Sequence, residues 1–312
     1  MGIKGALLIG LFKLNKAKTA RDRKKGKDIP ISEARKGMEA LNFLIGKLQP
    51  LSKDVSIKED RLDALSCWRA KGHKESTTTI FYLHGGGYVL SLAHLSSSYK
   101  YIVTELAKAC ESEVWALEYC LAPENPLPAS LEEAFKAYLA LLKKGIEAKN
   151  IVVMGDSAGG GMALALLLKL RDEGKPLPKA AVVISPWTDL AATGESMITR
   201  AKQDPMFNPE SVPLTVKLIV PQELIRDPYV SPLYGNYEGL PPLMIMVGGR
   251  EILYSDSTRV AEKARATGVD VILDVNEKMI HVYPLFGGVF KEGKKALKRI
   301  ADFVQNFEQS IT

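Results

Sequence analysis

The chain has 312 residues, of which 46% are hydrophobic, 25% charged and 7% aromatic, enough apolar material for one large domain or one domain with a small satellite. That composition excludes a wholly disordered, collagen-like or disulfide-stapled small protein, and the absence of any fixed-period repeat excludes a solenoid. Net charge is +6 and local: residues 1–36 hold eleven Lys and Arg against three acids, a segment charge of +8, and the rest of the chain sums to −2.

Contact with nucleic acid or a membrane therefore rests on this N-terminal arm. The arm carries no base-reading or stacking module, which argues against nucleic acid. We read it as a solvated, lysine-rich amphipathic helix, with contact to anionic lipid as the alternative. Its apolar run from Gly5 to Phe12 is bracketed by Lys4 and Lys13 and is too short to span a bilayer. Charged residues follow at once and no small-residue cleavage site does, so a helix face is expected rather than a signal peptide. Residues 1–48 read mainly helical, with a Lys/Arg/Gly-rich break over 21–30. From Ile31, apolar residues at Ala34, Met38, Leu41, Phe43, Leu44, Ile45 and Leu48 recur at helical spacing until Pro50.

The rhythm changes at Asp54. Outer strands are expected over 55–58 and 62–70, then strands over 77–83, 114–119, 151–154, 180–184, 243–247 and 271–275. Helices are expected over 96–110, 131–144, 162–170, 257–267 and 291–307. Short apolar strands alternating with longer helices mean an α/β fold: a mostly parallel sheet of about eight strands, covered on both faces. Residues 188–240 break the alternation and carry Pro205, Pro209, Pro213, Pro221, Pro228 and Pro232. Such an insertion reads as a lid or as a solvated loop; the apolar stretch 212–220 favours a lid.

The cysteines are Cys67, Cys110 and Cys120, an odd number without CxxC spacing, expected as buried free thiols of a reducing cytosol. The histidines are His73, His84, His94 and His281, with no HExxH or His/Cys cluster, so no metal is expected.

Gly155-Asp156-Ser157-Ala158-Gly159 is a GxSxG pattern between an apolar strand and an Ala/Leu-rich helix. That placement suits a nucleophile elbow, in which a sharp turn lifts the serine hydroxyl above the sheet. Alone it would also fit a glycine-rich turn or an anion-binding helix start. His84-Gly85-Gly86-Gly87-Tyr88 follows a central strand upstream. Three successive glycines are costly to order and suit a loop whose N–H groups face a developing oxyanion, making Gly86, Gly87 and Ala158 the candidate donors. His84, within that loop, reads as structural. Serine needs a base, and His281, after the last strand, lies at the functional end of such a sheet. His73 precedes a central strand, at the wrong end, and His94 could line a pocket. Glu251, where the strand at 243–247 has just ended, is favoured over Asp256 as the carboxylate that orients the histidine, although reach alone does not decide it.

At this point the chain resembles the hormone-sensitive-lipase-like esterases of the α/β-hydrolase fold. The matching blocks are HGGGY at 84–88, LAPENPLPA at 121–129, GDSAGG at 155–160, SPWTDL at 185–190, DPYVSPLYG at 227–235, LPPLMIMVGGREIL at 240–253 and GVDVILDVNEKMIHVYPLF at 268–286. The resemblance spans about 50 to 309. It implies an α/β-hydrolase core over 49–187 and 227–312, capped by 1–48 and by 188–226. It also implies Ser157 as nucleophile, His281 as base, Glu251 as acid and an oxyanion hole from the glycine loop and Ala158, with Asp156 and Glu124 in supporting networks. The sequence departs from the family pattern at Glu251, where Asp is more usual, at Cys120, where Arg often stands, and at Ser255-Asp256, where two carboxylates are common. The expected function is cofactor-free ester hydrolysis, on short-to-medium acyl esters as an apolar cap suggests, with a cytoplasmic location expected from the free thiols. Lactone or amide hydrolysis, or ligand binding without catalysis, are the alternatives. The implied partner is a small-molecule ester, with no nucleic acid and no stable membrane insertion, and an exposed sheet edge is compatible with a homodimer.

Overall fold

Eight strands form one sheet in the computed structural model, which describes residues 2–26, 30–72 and 77–306. They are β1 (Ser56–Leu62), β2 (Leu65–Lys71), β3 (Thr79–Leu83), β4 (Glu113–Leu117), β5 (Ile151–Asp156), β6 (Ala180–Ile184), β7 (Leu243–Gly248) and β8 (Val271–Asn276). Their spatial order is β1-β2-β4-β3-β5-β6-β7-β8. The β1–β2 and β2–β4 pairs are antiparallel and the others parallel. The helices are α1 (Ile3–Lys24), α2 (Ile31–Gly46), α3 (Ser96–Ala109), α4 (Ala129–Lys143), α5 (Ser157–Asp172), α6 (Ser196–Thr199), α7 (Val212–Ile219), α8 (Tyr254–Ala266) and α9 (Lys291–Asn306).

Strands covered on both faces have no polar side, and β3, β5, β6 and β7 are buried at every residue. The two-residue period divides them between two cores. Phe81, Leu83 and Val153 pack with α4, α5 and α8; Ile80, Tyr82, Val152 and Met154 pack with α3 and α9. Leu8, Ile9 and Phe12 of α1 and Ile45 of α2 join the second core. At roughly 1.5–3 kcal/mol for each large apolar side chain fully buried, these residues hold the N-terminal helices in place. Met197 of α6 and Val216 and Ile219 of α7 join the first core, so the segment between β6 and β7 is packed structure, not a solvated loop.

Three details differ from the sequence reading. Helix α1 runs through Arg21 to Lys24, since exposed Lys and Arg are good helix formers, and it stops at Gly26 with φ of +65°. The first outer strand is longer than expected and pairs along its length with β2, Leu62 opposite Leu65, through a turn in which Asp63 has φ of +50°. Its residues Lys58, Glu59, Asp60 and Arg61 hide it from a hydrophobicity criterion, because an edge strand needs only its backbone bonds. Cys67 and Cys110 are buried free thiols, whereas Cys120 is half-buried and lies beyond the end of β4.

Candidate active site

The carboxyl ends of the parallel strands converge on a cavity of about 330 Å³. Its walls include Gly86 and Gly87 after β3, Asp156 and Ser157 at the β5–α5 junction, Trp187 after β6, Ile252 after β7 and His281 after β8. Such crevices at strand ends are where open α/β sheets bind ligands. Phe12 and Lys16 of α1, Met38 and Leu41 of α2 and Val212 and Thr215 of α7 complete the wall.

Strand β5 passes into α5 without a loop, leaving Ser157 in the left-handed region at φ of +52°. A strained non-glycine residue of this kind costs about 1–3 kcal/mol and persists only where its surroundings enforce it. Gly159 is part of that enforcement, because a Cβ there would collide with the carbonyls of Leu83 and His84. Ala158 follows Ser157 in the first turn of α5, where backbone N–H groups lack intrahelical acceptors.

The glycine loop is tied to this elbow by Asp156. Its carboxylate accepts from Tyr82 Oη at 2.8 Å, Tyr99 Oη at 3.0 Å and the Gly85 N–H at 3.0 Å. Burial raises the Asp156 pKa to about 6 against the opposing pull of those donors. Gly86 and Gly87 take φ of +109° and +63°, conformations a side chain would resist. The Gly86 carbonyl closes the next turn by accepting from the Val89 and Leu90 N–H groups, both at 3.1 Å.

His84 is fully buried, stacks on Tyr119 with centroids 4.0 Å apart and donates through Nδ1 to the Gly85 carbonyl at 2.7 Å. Burial drives its pKa down to about 3, so the ring is neutral. His94 bonds to Ser91 instead of lining the cavity. His73 lies outside the described residues.

His281 and Glu251 meet in a hydrogen bond between Nδ1 and Oε2. Glu251 has no exposed surface, and its Oε1 accepts from Ser185 Oγ at 2.8 Å and from the Gly248 N–H at 2.9 Å. The Ser185 hydroxyl in turn accepts from the Val282 N–H at 3.0 Å, joining the carboxylate to the histidine's own loop. Burial pushes the His281 pKa down, but the charge and hydrogen bond of Glu251, with Asp204 and Asp156 behind them, outweigh it and raise it above the ordinary imidazole value. Asp256 sits elsewhere: its Oδ2 accepts from the Thr188 and Asp189 N–H groups at 2.8 and 2.9 Å. It pins the start of the inserted segment to α8, and burial lifts its pKa to about 7.

The geometry brings Ser157, His281, Gly86 and Gly87 to one cavity and Glu251 to His281. A hydroxyl, an imidazole held at Nδ1 by a carboxylate, and a helix start beside a glycine loop are the parts that acyl transfer needs.

Four contributors went unrecognised in the sequence. Ser185 lay within a noted block but not as a residue. Asp204 accepts from the Met206, Phe207 and Ile252 N–H groups at 2.7, 3.0 and 3.0 Å, while Lys16 Nζ donates to its carbonyl oxygen at 2.6 Å. Phe207 thereby lies edge-on to the His281 ring, with centroids 4.9 Å apart. The Asp204-Pro205 turn signal was the only cue to either. Arg35 of α2 pairs with Glu124 at 2.7 Å and donates to the Val89 and Ala122 carbonyls, both at 2.9 Å. That arrangement clamps α2 to the end of the glycine loop, and the Arg35 hydrogen bond holds the Glu124 pKa down at about 2. No local pattern marks Arg35.

Residues 80–285 match the family model described as alpha/beta hydrolase fold. An esterase of Acinetobacter venetianus is 34% identical over 263 residues, covering 84% of this chain and 86% of that protein. An acetyl-hydrolase of Streptomyces hygroscopicus is 36% identical over 232 residues, 74% of this chain and 77% of the relative. The crystal structure of an esterase from the bacterial hormone-sensitive lipase family superposes with a TM-score of 0.88 at 34% identity, covering 98% of each chain.

Proposed function

The chain belongs to the hormone-sensitive-lipase-like esterases of the α/β-hydrolase fold and is a carboxylesterase, and we propose that it works through Ser157, His281 and Glu251 on short-to-medium acyl esters. The observation that carries this reading is the Glu251–His281 hydrogen bond at the wall of the cavity that Ser157 also lines. Glu251 fixes the ring with its proton on Nδ1, so Nε2 takes the Ser157 proton. The serine oxygen attacks the ester carbonyl, and the charge that builds on the carbonyl oxygen faces the N–H groups of Gly86, Gly87 and Ala158. His281 returns the proton to the leaving alcohol, and water repeats the sequence on the acyl-enzyme.

Residues 1–48 and 188–226 act as the cap over the core at 49–187 and 227–312, since they supply Phe12, Met38, Leu41, Val212 and Thr215 to the wall. These largely apolar contacts favour apolar acyl chains, and a cavity of about 330 Å³ sits at the small end of ligand pockets, which favours short ones. Two measurements test the reading together. A fluorophosphonate should add one equivalent of label to the peptide carrying Ser157. Along a p-nitrophenyl ester series, kcat/KM should peak at acetate to hexanoate. Label on another residue, or no turnover of any ester in the series, overturns it.

Asp204 is a positioning residue in this scheme, since it holds both the loop carrying Glu251 and the ring against His281. Asp204→Asn should lower kcat/KM about tenfold, in keeping with the sensitivity of catalysis to small misplacements. It should also move the acid limb of the pH profile downward, because the Asp204 charge helps raise the His281 pKa. An unchanged profile together with unchanged turnover would remove Asp204 from the account.

A further inference from the structure

The described residues leave ten large apolar side chains exposed, and eight of them fall in residues 1–48 and 188–226. Three lie on α1, at Ile3, Leu7 and Leu14, with relative exposures of 91, 52 and 70%. Spacings of four and seven residues place them in one line along the helix. That line continues toward the carboxyl end of α1 with exposed Lys18, Arg21 and Lys25, the last capping the helix. The outer face of α1 thus carries an apolar line flanked by exposed Lys4 and Lys13 in its first half and a basic line in its second, while its inner face carries Phe12 and Lys16 to the cavity wall. Positive charge concentrates in the same part of the chain, because residues 1–36 carry +8 and the rest of the chain −2.

We propose that the outer face of α1 seats the protein on an anionic lipid surface, with Ile3, Leu7 and Leu14 in the interfacial layer and Lys18, Arg21 and Lys25 on the headgroups. Solvent alone does not explain a helix that keeps an apolar line exposed while its opposite face is packed, and a basic segment beside that line selects negatively charged lipid over a neutral protein face. The helix lies on the surface and does not cross it, in keeping with the absence, among the described residues, of any helix long and apolar enough to span a membrane. Because α1 also walls the cavity, the docked protein would hold its site close to the lipid boundary. The inference stands apart from the chemistry assigned to Ser157, since it concerns only the outer face of a helix.

The test is flotation of the full chain with vesicles of phosphatidylcholine alone or with 30 mol% phosphatidylglycerol added. The wild type should float with the anionic vesicles at low salt, bind pure phosphatidylcholine at least ~10-fold more weakly, and dissociate as salt rises. The variants I3S/L7S/L14S and K18E/R21E/K25E should each lose ~10-fold or more in binding while hydrolysing soluble p-nitrophenyl butyrate as the wild type does. Should the serine variant fail to fold, the charge-reversal variant, altered only at exposed positions, still decides. A wild type that stays with the buffer in both vesicle types overturns the proposal, and so does binding that neither variant changes. So does light scattering that shows a dimer dissolved by I3S/L7S/L14S without any vesicle binding, which would make the face a contact between copies of this chain.

Discussion

Replacing Ser157 by alanine should lower kcat for p-nitrophenyl butyrate by about 10⁴- to 10⁶-fold and abolish fluorophosphonate labelling, with the folded structure intact. The loss is large because, in the proposed scheme, every other part serves this one oxygen. Without it, His281 has no proton to take and the glycine N–H groups face no covalent intermediate, so only binding and weak polarisation remain. The same position predicts a stability effect of the opposite sign. With φ of +52°, residue 157 sits where a side chain is strained and glycine is not. Ser157→Gly should therefore be as inactive as the alanine variant yet gain about 1 kcal/mol over it, read as a rise in denaturation midpoint. An alanine variant with more than a tenth of wild-type turnover would show that the nucleophile lies elsewhere.

Glu251→Gln should lower kcat by about 10³- to 10⁴-fold, whereas Asp256→Asn should leave it within about threefold. An amide retains the shape of the carboxylate but cannot stabilise the imidazolium that the proposed scheme forms when Ser157 gives up its proton. The sign of the pH effect follows from His281. Its pKa is raised, so the ring becomes protonated, and useless as a base, at a higher pH than a free imidazole would. In the wild type, kcat/KM should fall tenfold per pH unit below a limb lying above about 6.5. Glu251→Gln removes the strongest influence holding that pKa up, and the limb of the residual activity should move down. Asp256 accepts backbone N–H groups that an asparagine oxygen can still satisfy, so its loss of charge touches neither limb nor turnover. Wild-type activity in Glu251→Gln, or its collapse in Asp256→Asn, would exchange the two roles.

Much of this was legible in the chain itself, for physical reasons that differ from residue to residue. The central strands could be placed because a strand buried on both faces must be apolar throughout, as 151–154 and 180–184 are. Ser157 and the glycine loop could be placed because their backbones demand particular residues at short range. His281 and Glu251 followed from where strands end. What stayed hidden depends on distance in space without proximity in sequence. Arg35 reaches Glu124 and Val89 across the fold, and Asp204 reaches Ile252 and Lys16; nothing beside Arg35 foreshadows it, and the proline after Asp204 signals a turn but none of these contacts. The charged strand β1 was only partly recognised, since its place depends on backbone pairing that side-chain pattern does not report.

The Ser185 hydroxyl works in both directions, giving its hydrogen to Glu251 and receiving one from Val282, on a backbone held at φ of +49°. Few alternatives satisfy all three demands. Glycine suits the torsion but has no oxygen, threonine has the oxygen but branches where the torsion forbids it, and asparagine tolerates the torsion but sets its polar atoms farther out. The position thus strongly favours serine, and in proteins built on this plan a different residue there should announce a rebuilt acid–histidine junction before any assay is run.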